Sequence, residues 1–182
     1  MHPAPFCLIG IVNVTPDSFS DGGRFLDPQR AVEHGLRLLD DGACMLDLGA
    51  ESTRPYAEPV PEAEERARLL PVMGRLREVR PDAVLSVDTL KAGTARAALE
   101  GGADIINDVS ACTADPALTD VLVEYKPGYV LMHSQGNPRE MQVNPHYGDV
   151  VEEILAFFER HLARLVKAGL PEDRIVLDPG IG

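Results

Sequence analysis

The sequence is poor in basic charge and in aromatic residues, and it contains no tryptophan. Its 17 lysines and arginines are outnumbered by 29 aspartates and glutamates, which leaves a formal net charge of −12 on 182 residues. Proteins that bind nucleic acid neutralise phosphates with clustered Lys and Arg, so this balance argues against a nucleic-acid partner. A small anionic ligand needs only a local positive site or a metal ion, and the charge balance leaves that class open.

Long apolar runs are also missing. No segment approaches the roughly 20 apolar residues of a membrane-spanning helix, and the start lacks the charged region and apolar stretch of a signal peptide. We therefore expect a cytoplasmic protein with no membrane partner. The three cysteines, Cys7, Cys44 and Cys112, are far apart and form no Cys-x-x-Cys pair, so we interpret them as reduced packing residues.

What the sequence does contain is an alternation between short apolar runs and segments of helical period. Six runs have the uninterrupted apolar character of buried parallel strands, at 8–12, 45–48, 83–87, 105–106, 129–132 and 175–177. Helices are predicted between them, the first opened by Asp27 and Pro28 and closed by Gly42. Strand followed by helix, repeated, predicts right-handed βαβ units and an α/β fold with a parallel sheet.

The longest predicted helix covers roughly residues 149–168. Seven apolar residues in it fall on one face at spacings of three and four, and we expect that face to be buried. They are Val151, Ile154, Leu155, Phe158, Leu162, Leu165 and Val166.

Two α/β architectures compete for this pattern. Length favours a doubly wound open sheet, because a (β/α)8 barrel needs about 250 residues and eight strands. Strand ends favour the barrel, because a polar residue stands near the carboxyl end of every run. Polar residues at the same end of every strand indicate a single ring of loops, as on the active face of a barrel. These residues are Asn13, Asp47, Asp88, Asn107, His133 and Asp178. Each could instead be a helix cap or turn residue, and we interpret Asp47 and His133 as structural.

Two loops on this face are unusually long, the one that follows the first strand and the one that follows the second. Together they carry hydroxyls, an amide, carboxylates and one arginine. This combination suits a metal-linked phosphate, in which Asn13 offers a neutral oxygen to Mg²⁺ and Thr53 and Arg54 donate to phosphoryl oxygens. No Walker A or dinucleotide-binding glycine motif is present, so the phosphate would not be bound in a P-loop.

The stretch at 10–23, Gly-Ile-Val-Asn-Val-Thr-Pro-Asp-Ser-Phe-Ser-Asp-Gly-Gly, closely resembles the first signature of the dihydropteroate synthase family. Further matches follow in order at 51–55, 86–89, 106–109, 131–136 and 177–182, so the resemblance extends over nearly the whole chain. It implies a (β/α)8 TIM barrel, here truncated after the sixth strand. The chain would then be a single pterin-binding domain, residues 1–182, that is incomplete at its C-terminus.

The same resemblance implies an activity. Enzymes of this family join 6-hydroxymethyl-7,8-dihydropterin diphosphate to 4-aminobenzoate with Mg²⁺ assistance, are usually homodimers, and are the target of sulfonamides. By position, the resemblance implies that Asn13 is the metal ligand and that Thr53 and Arg54 lie near the diphosphate. It places Asp88, Asn107 and Asp178 in the pterin pocket. Asp21 would lie in the loop that closes over aminobenzoate. Asp21, Asp88 and Asp178 would be the catalytic residues.

The chain also departs from the family pattern. Tyr56 stands where the family usually has glycine, and Ser134 replaces a commoner apolar residue. The family's later lysine, arginine and histidine motifs would lie beyond Gly182, so we expect the 182-residue chain alone to be inactive. A pterin-binding methyltransferase barrel and a non-catalytic pterin-binding fragment remain the alternative functions.

Overall fold

The computed structural model describes residues 6–15, 27–51, 59–135 and 146–181. Its six strands are β1 (Ile9–Asn13), β2 (Met45–Gly49), β3 (Val84–Asp88), β4 (Ile105–Asp108), β5 (Gly128–Met132) and β6 (Ile175–Asp178). Its α-helices are α1 (Pro28–Asp40), α2 (Glu62–Val79), α3 (Ala92–Glu100), α4 (Leu118–Tyr125) and α5 (Val150–Ala168), and a 3₁₀ turn (Glu172–Arg174) precedes β6. Each predicted strand and helix is confirmed, with small shifts at the ends.

The strand order decides between the two predicted architectures. All strands are parallel, and they pair in the order β1-β2-β3-β4-β5-β6. A doubly wound sheet reverses its order at a switch point, whereas consecutive right-handed crossovers place every helix on the same face, as in a (β/α)8 barrel. The fold is therefore the first six strands of such a barrel, and the inference from chain length to an open sheet is wrong.

The two faces of the sheet have different surroundings. On the outer face, the helices completely bury a set of apolar side chains consisting of Val12, Leu46, Leu48, Leu85, Val87, Ile106 and Leu131. Alternate residues point to the inner face, where Ile9 and Ile11 of β1 are exposed. The polar residues of the strand ends lie on this inner face, except His133, whose ring packs against α5. The helix-packed core therefore supports the site from behind.

Two glycines let helix α1 and the first two strands pack closely around Leu46. A Cβ on Gly10 of β1 would lie 2.9 Å from Leu46 Cδ2 and 3.0 Å from Leu38 Cβ. A Cβ on Gly35 of α1 would lie 3.0 Å from Leu46 Cδ1. Leu46 is fully buried, so it has little room to move away from an added methyl group.

Helix α5 is only partly buried, which contradicts the predicted single buried face. Phe158 and Leu165 are buried, but Val151 is 61% exposed and Leu155 is 52% exposed. Val166 is exposed as well. The physical reason is that the apolar face of α5 is wider than the surface that the other described elements offer it.

The cysteines match their predicted role in part. All three are free and Cys112 is buried, whereas Cys7 and Cys44, which precede β1 and β2, are exposed and so are not packing residues. Within the ranges described above, no helix is both long and apolar enough to cross a membrane.

We expect Gly10→Ala to destabilise the fold by about 1–3 kcal/mol, because the methyl group would overpack the contact between β1 and α1. Gly74→Ala in α2 is the matched control, because no heavy atom lies within 4 Å of the Cβ it adds. This control should instead gain about 0.5–1 kcal/mol of helix propensity. Urea unfolding of both variants measures the difference, and equal stability of the two would contradict the close packing.

Candidate active site

Four strands bring polar residues to one line across the inner face. The register pairs Asn13 with Gly49, Gly49 with Asp88, and Asp88 with Asn107. Gly49 leaves a gap in this line, because a Cβ there would lie 3.5 Å from Asp88 Oδ2 and 3.9 Å from Asn13 Oδ1. The amide of Asn13 and the carboxyl group of Asp88 therefore lie on either side of Gly49, with no side chain of Gly49 between them. The amide of Asn107 lies beside Asp88.

Asp47 lies below this line and joins two of its neighbouring strands. Its Oδ1 accepts a hydrogen bond from Ser86 Oγ at 2.6 Å, and its Oδ2 accepts one from Asn107 Nδ2 at 2.9 Å. Because the amide nitrogen of Asn107 donates to Asp47, its carbonyl oxygen faces the other way as an acceptor. Asp47 is the third residue of β2 rather than its end, which corrects its predicted place at a strand terminus.

Asp47 is the residue of this site whose contacts sequence reasoning undervalued. The only available signal was a carboxylate inside an apolar run, which costs free energy unless it is hydrogen-bonded. That signal predicts a partner for the carboxylate, but it does not say that the partner is Asn107 of the site.

The carboxyl group of Asp88 has a strongly perturbed acidity. Burial is the main cause, and the nearby carboxylates of Asp47, Glu65, Asp108 and Glu51 add to it, so that the pKa of Asp88 is raised to about 8. A carboxyl group with this pKa exists in both protonation states near neutral pH. Such perturbation in a partly open cleft is typical of a functional site.

Asp178 ends β6 at the same edge of the sheet. It pairs with Met132, two residues beyond the partner of Asn107 on β5, so it lies one layer above the Asp88 line. Its Oδ1 accepts from the backbone N–H of Gly180 at 2.8 Å. The structure therefore brings Asp178 to the active face, with one carboxylate oxygen committed to the following turn.

His133 follows β5 and is only 7% exposed. Its backbone N–H donates to the carbonyl of Asp178 at 2.8 Å, and its ring packs edge-on against Phe157 with centroids 4.9 Å apart. These contacts confirm the structural interpretation of this histidine. Asp21, Thr53, Arg54 and Tyr56 lie outside the described residues, and their roles stay predictions.

Asn13 is the described residue that fits the predicted Mg²⁺ ion. The described part of the chain contains no group of three or more His, Cys, Asp or Glu side chains placed to hold a metal. Mg²⁺ usually keeps several waters and takes one or two protein oxygens together with substrate phosphates. A single amide oxygen at the exposed end of β1 fits this mode of binding and does not fit a closed all-protein cage.

Comparison with known proteins agrees with this geometry. A family model described as pterin binding enzyme matches residues 9–182. The dihydropteroate synthase of Mycobacterium leprae is 44% identical over 186 residues, which cover 100% of this chain and 64% of that protein. This chain spans less than two thirds of the length of that relative and of the two solved structures described next.

Solved structures show the same similarity. Dihydropteroate synthase of Xanthomonas albilineans with 4-aminobenzoic acid superposes with a TM-score of 0.88 at 45% identity, over 97% of this chain and 62% of that one. The Yersinia pestis enzyme in complex with a sulfonamide drug superposes with a TM-score of 0.89 at 42% identity, over 97% of this chain and 63% of that one.

We expect Asp88→Asn to flatten the pH dependence of stability. A folded-state pKa of about 8, far above the ordinary value for Asp, means that the folded protein binds more protons than the unfolded chain between these values. Stability is therefore lost as the pH rises through that window, and asparagine removes the loss. At about pH 8 the variant should be more stable than wild type by on the order of 2 kcal/mol.

Urea unfolding at about pH 5 and about pH 8 measures this difference, and wild type is the reference at each pH. Parallel losses of stability in wild type and variant would show that Asp88 does not carry the perturbed acidity.

Proposed function

Because this chain belongs to the pterin-binding enzyme family, we propose that its protein is a dihydropteroate synthase. The reaction joins 6-hydroxymethyl-7,8-dihydropterin diphosphate to 4-aminobenzoate and releases 7,8-dihydropteroate and diphosphate. The observation that carries the proposal is the line of Asn13, Asp88 and Asn107 across the inner face, with Gly49 leaving space between the first two.

The acceptors of this line suit one planar ligand edge. A pterin presents several N–H donors in its plane, and the carboxyl group of Asp88 and the carbonyl oxygen of Asn107 are matching acceptors. Asn107 is oriented for this by its hydrogen bond to Asp47. Asp178, one layer above, offers its second carboxylate oxygen to the same ligand in this proposal.

The same carboxyl groups suit the chemistry. The bond between the pterin methylene carbon and the diphosphate oxygen breaks, and the electron pair leaves with diphosphate. Positive charge then develops on the methylene and is shared with the pterin ring, where the carboxylates of Asp88 and Asp178 stabilise it. The amine nitrogen of 4-aminobenzoate bonds to this carbon and then loses a proton. No covalent bond to the protein is needed.

The diphosphate end of the substrate is assigned by the family resemblance. In this proposal Thr53 and Arg54 donate to phosphoryl oxygens, Asp21 closes the site over aminobenzoate, and Asn13 would hold Mg²⁺. When bound, Mg²⁺ offsets the negative charge on the departing diphosphate.

Several further properties belong to the same proposal. Residues 1–182 form one barrel domain, which is incomplete without the remainder that the relatives contain. The full-length protein is a cytoplasmic homodimer, and sulfonamides compete with 4-aminobenzoate for its site. The complex of the Yersinia pestis relative with a sulfonamide drug supports this last point.

A comparison of two proteins tests the function. We expect the full-length protein, given both substrates and Mg²⁺, to form dihydropteroate, measured in a coupled assay. The 182-residue chain alone should show less than about 1% of that turnover, because removing groups that bind the transition state costs orders of magnitude in rate. No product from the full-length protein would contradict the assignment. Comparable turnover by the short chain would contradict the view that the rest of the barrel is needed.

A further inference from the structure

A buried carboxylate holds the turn that follows Asp88. Glu65, in the first turns of α2, is 1% exposed. Its Oε1 accepts from Thr89 Oγ1 at 2.8 Å, and its Oε2 accepts from Thr94 Oγ1 at 2.8 Å. Thr89 directly follows Asp88 in the chain. Its hydrogen bond to Glu65 therefore restrains the residue next to the site carboxyl group.

The backbone of this turn is fixed as well. The N–H of Thr89 donates to the carbonyl of Asn107 at 3.1 Å, and the N–H of Lys91 donates to Thr89 Oγ1 at 3.2 Å. Thr89 is thus tied to Asn107 on one side and to Glu65 on the other. Two residues of the proposed pterin pocket, Asp88 and Asn107, are therefore attached to the same turn.

Lys91 supplies the positive charge for this arrangement. Its Nζ lies 2.9 Å from Glu65 Oε2 and also forms an ion pair with Glu51, the second residue after β2. Burial alone would lower the pKa of Lys91, but its hydrogen bonds to Glu51 and Glu65 outweigh burial and raise that pKa. The side chain consequently stays charged and neutralises both carboxylates.

This network is more elaborate than packing requires. Buried ion pairs contribute little net stability compared with well-packed apolar residues, although removing one partner costs about 3–5 kcal/mol. Charged groups of this kind that surround a site are better explained by the geometry and field they impose on it.

We propose that Glu65 and Lys91 are positioning residues for the pterin pocket: Glu65 holds Asp88 in place through Thr89, and Lys91 supplies the counter-charge that keeps Glu65 buried and ionised at Thr89. The inference rests on the proposed function, since it assigns the two residues to the binding of the pterin half of that substrate. They act through Asp88 and touch no ligand themselves.

Calorimetric titration of the full-length protein with 6-hydroxymethyl-7,8-dihydropterin tests the role of Lys91. Lys91→Met should weaken binding by about 10-fold or more, because buried Glu65 then loses its counter-charge and no longer holds Thr89 in the same place. Lys91→Arg, which keeps the charge, should stay within about twofold of wild type. Lys167→Met on the exposed last turn of α5 is the control for losing a lysine, and it should bind as wild type does.

The threonine provides a second test that leaves the buried ion pair intact. Thr89→Val removes the hydroxyl that donates to Glu65 and should raise KM for the pterin diphosphate by about 10-fold, with KM for 4-aminobenzoate unchanged. Thr89→Ser keeps the hydroxyl and should behave as wild type. A general loss of folding would move both KM values, so the split between substrates reports positioning.

The outcomes separate the two claims. If wild type binds no dihydropterin, the proposed function is wrong and this inference falls with it. If wild type binds and both Lys91→Met and Thr89→Val bind equally well, the inference alone is overturned. Should Lys91→Met fail to fold, the comparison of Thr89→Val with Thr89→Ser decides.

Discussion

The site depends on the in-register pairing of four parallel strands. Asn13, Gly49, Asp88 and Asn107 lie side by side only because each strand is aligned with the next. A slip of one residue would turn every side chain of the slipped strand to the opposite face. Apolar residues that alternate with the polar ones are completely buried under the helices, so the core that stabilises the fold also fixes the alignment of the site.

The surroundings of Asp88 concentrate negative charge at a cost in stability. Asp47, Glu51, Glu65 and Asp108 all act on Asp88 and, together with its burial, raise its pKa to about 8. Hydrogen bonds from Ser86, Asn107, Thr89 and Thr94 and the ammonium of Lys91 satisfy part of this cluster. A ligand with several N–H donors would stabilise the ionised form of Asp88, so binding such a ligand relieves the remaining unfavourable charge.

Much of this fold could be predicted from the sequence, because local physical signals mark it. Asp27 caps α1 by accepting from the N–H of Gln29, and Gly169 ends α5 in the left-handed conformation, as their residue types indicate. The polar residues at strand ends predicted the active face. Chain length favoured an open sheet because length carries no information about strand order, whereas the strand ends and the family resemblance predicted the truncated barrel, which is confirmed.

Long-range contacts explain what the sequence did not reveal. Glu65 and Lys91 are far apart in the sequence, and only the fold brings them together. The apolar face of α5 predicts burial, yet how much of it is buried depends on which elements pack against it. Asp47 was interpreted as structural because spacing cannot show that its carboxylate contacts both Ser86 and Asn107.

Asp47 orients Asn107 through its hydrogen bond, and in the proposed function this completes a pterin-binding pocket with Asp88. The Kd of the full-length Asp47→Asn protein for dihydropterin tests this role. We expect this Kd to be about 10-fold or more above wild type, because the new amide competes with Asn107 as a donor. Ser86→Ala, which leaves the contact between Asp47 and Asn107, should stay within about threefold. Wild-type affinity in a folded Asp47→Asn protein would show that Asp47 does not orient Asn107 for the ligand.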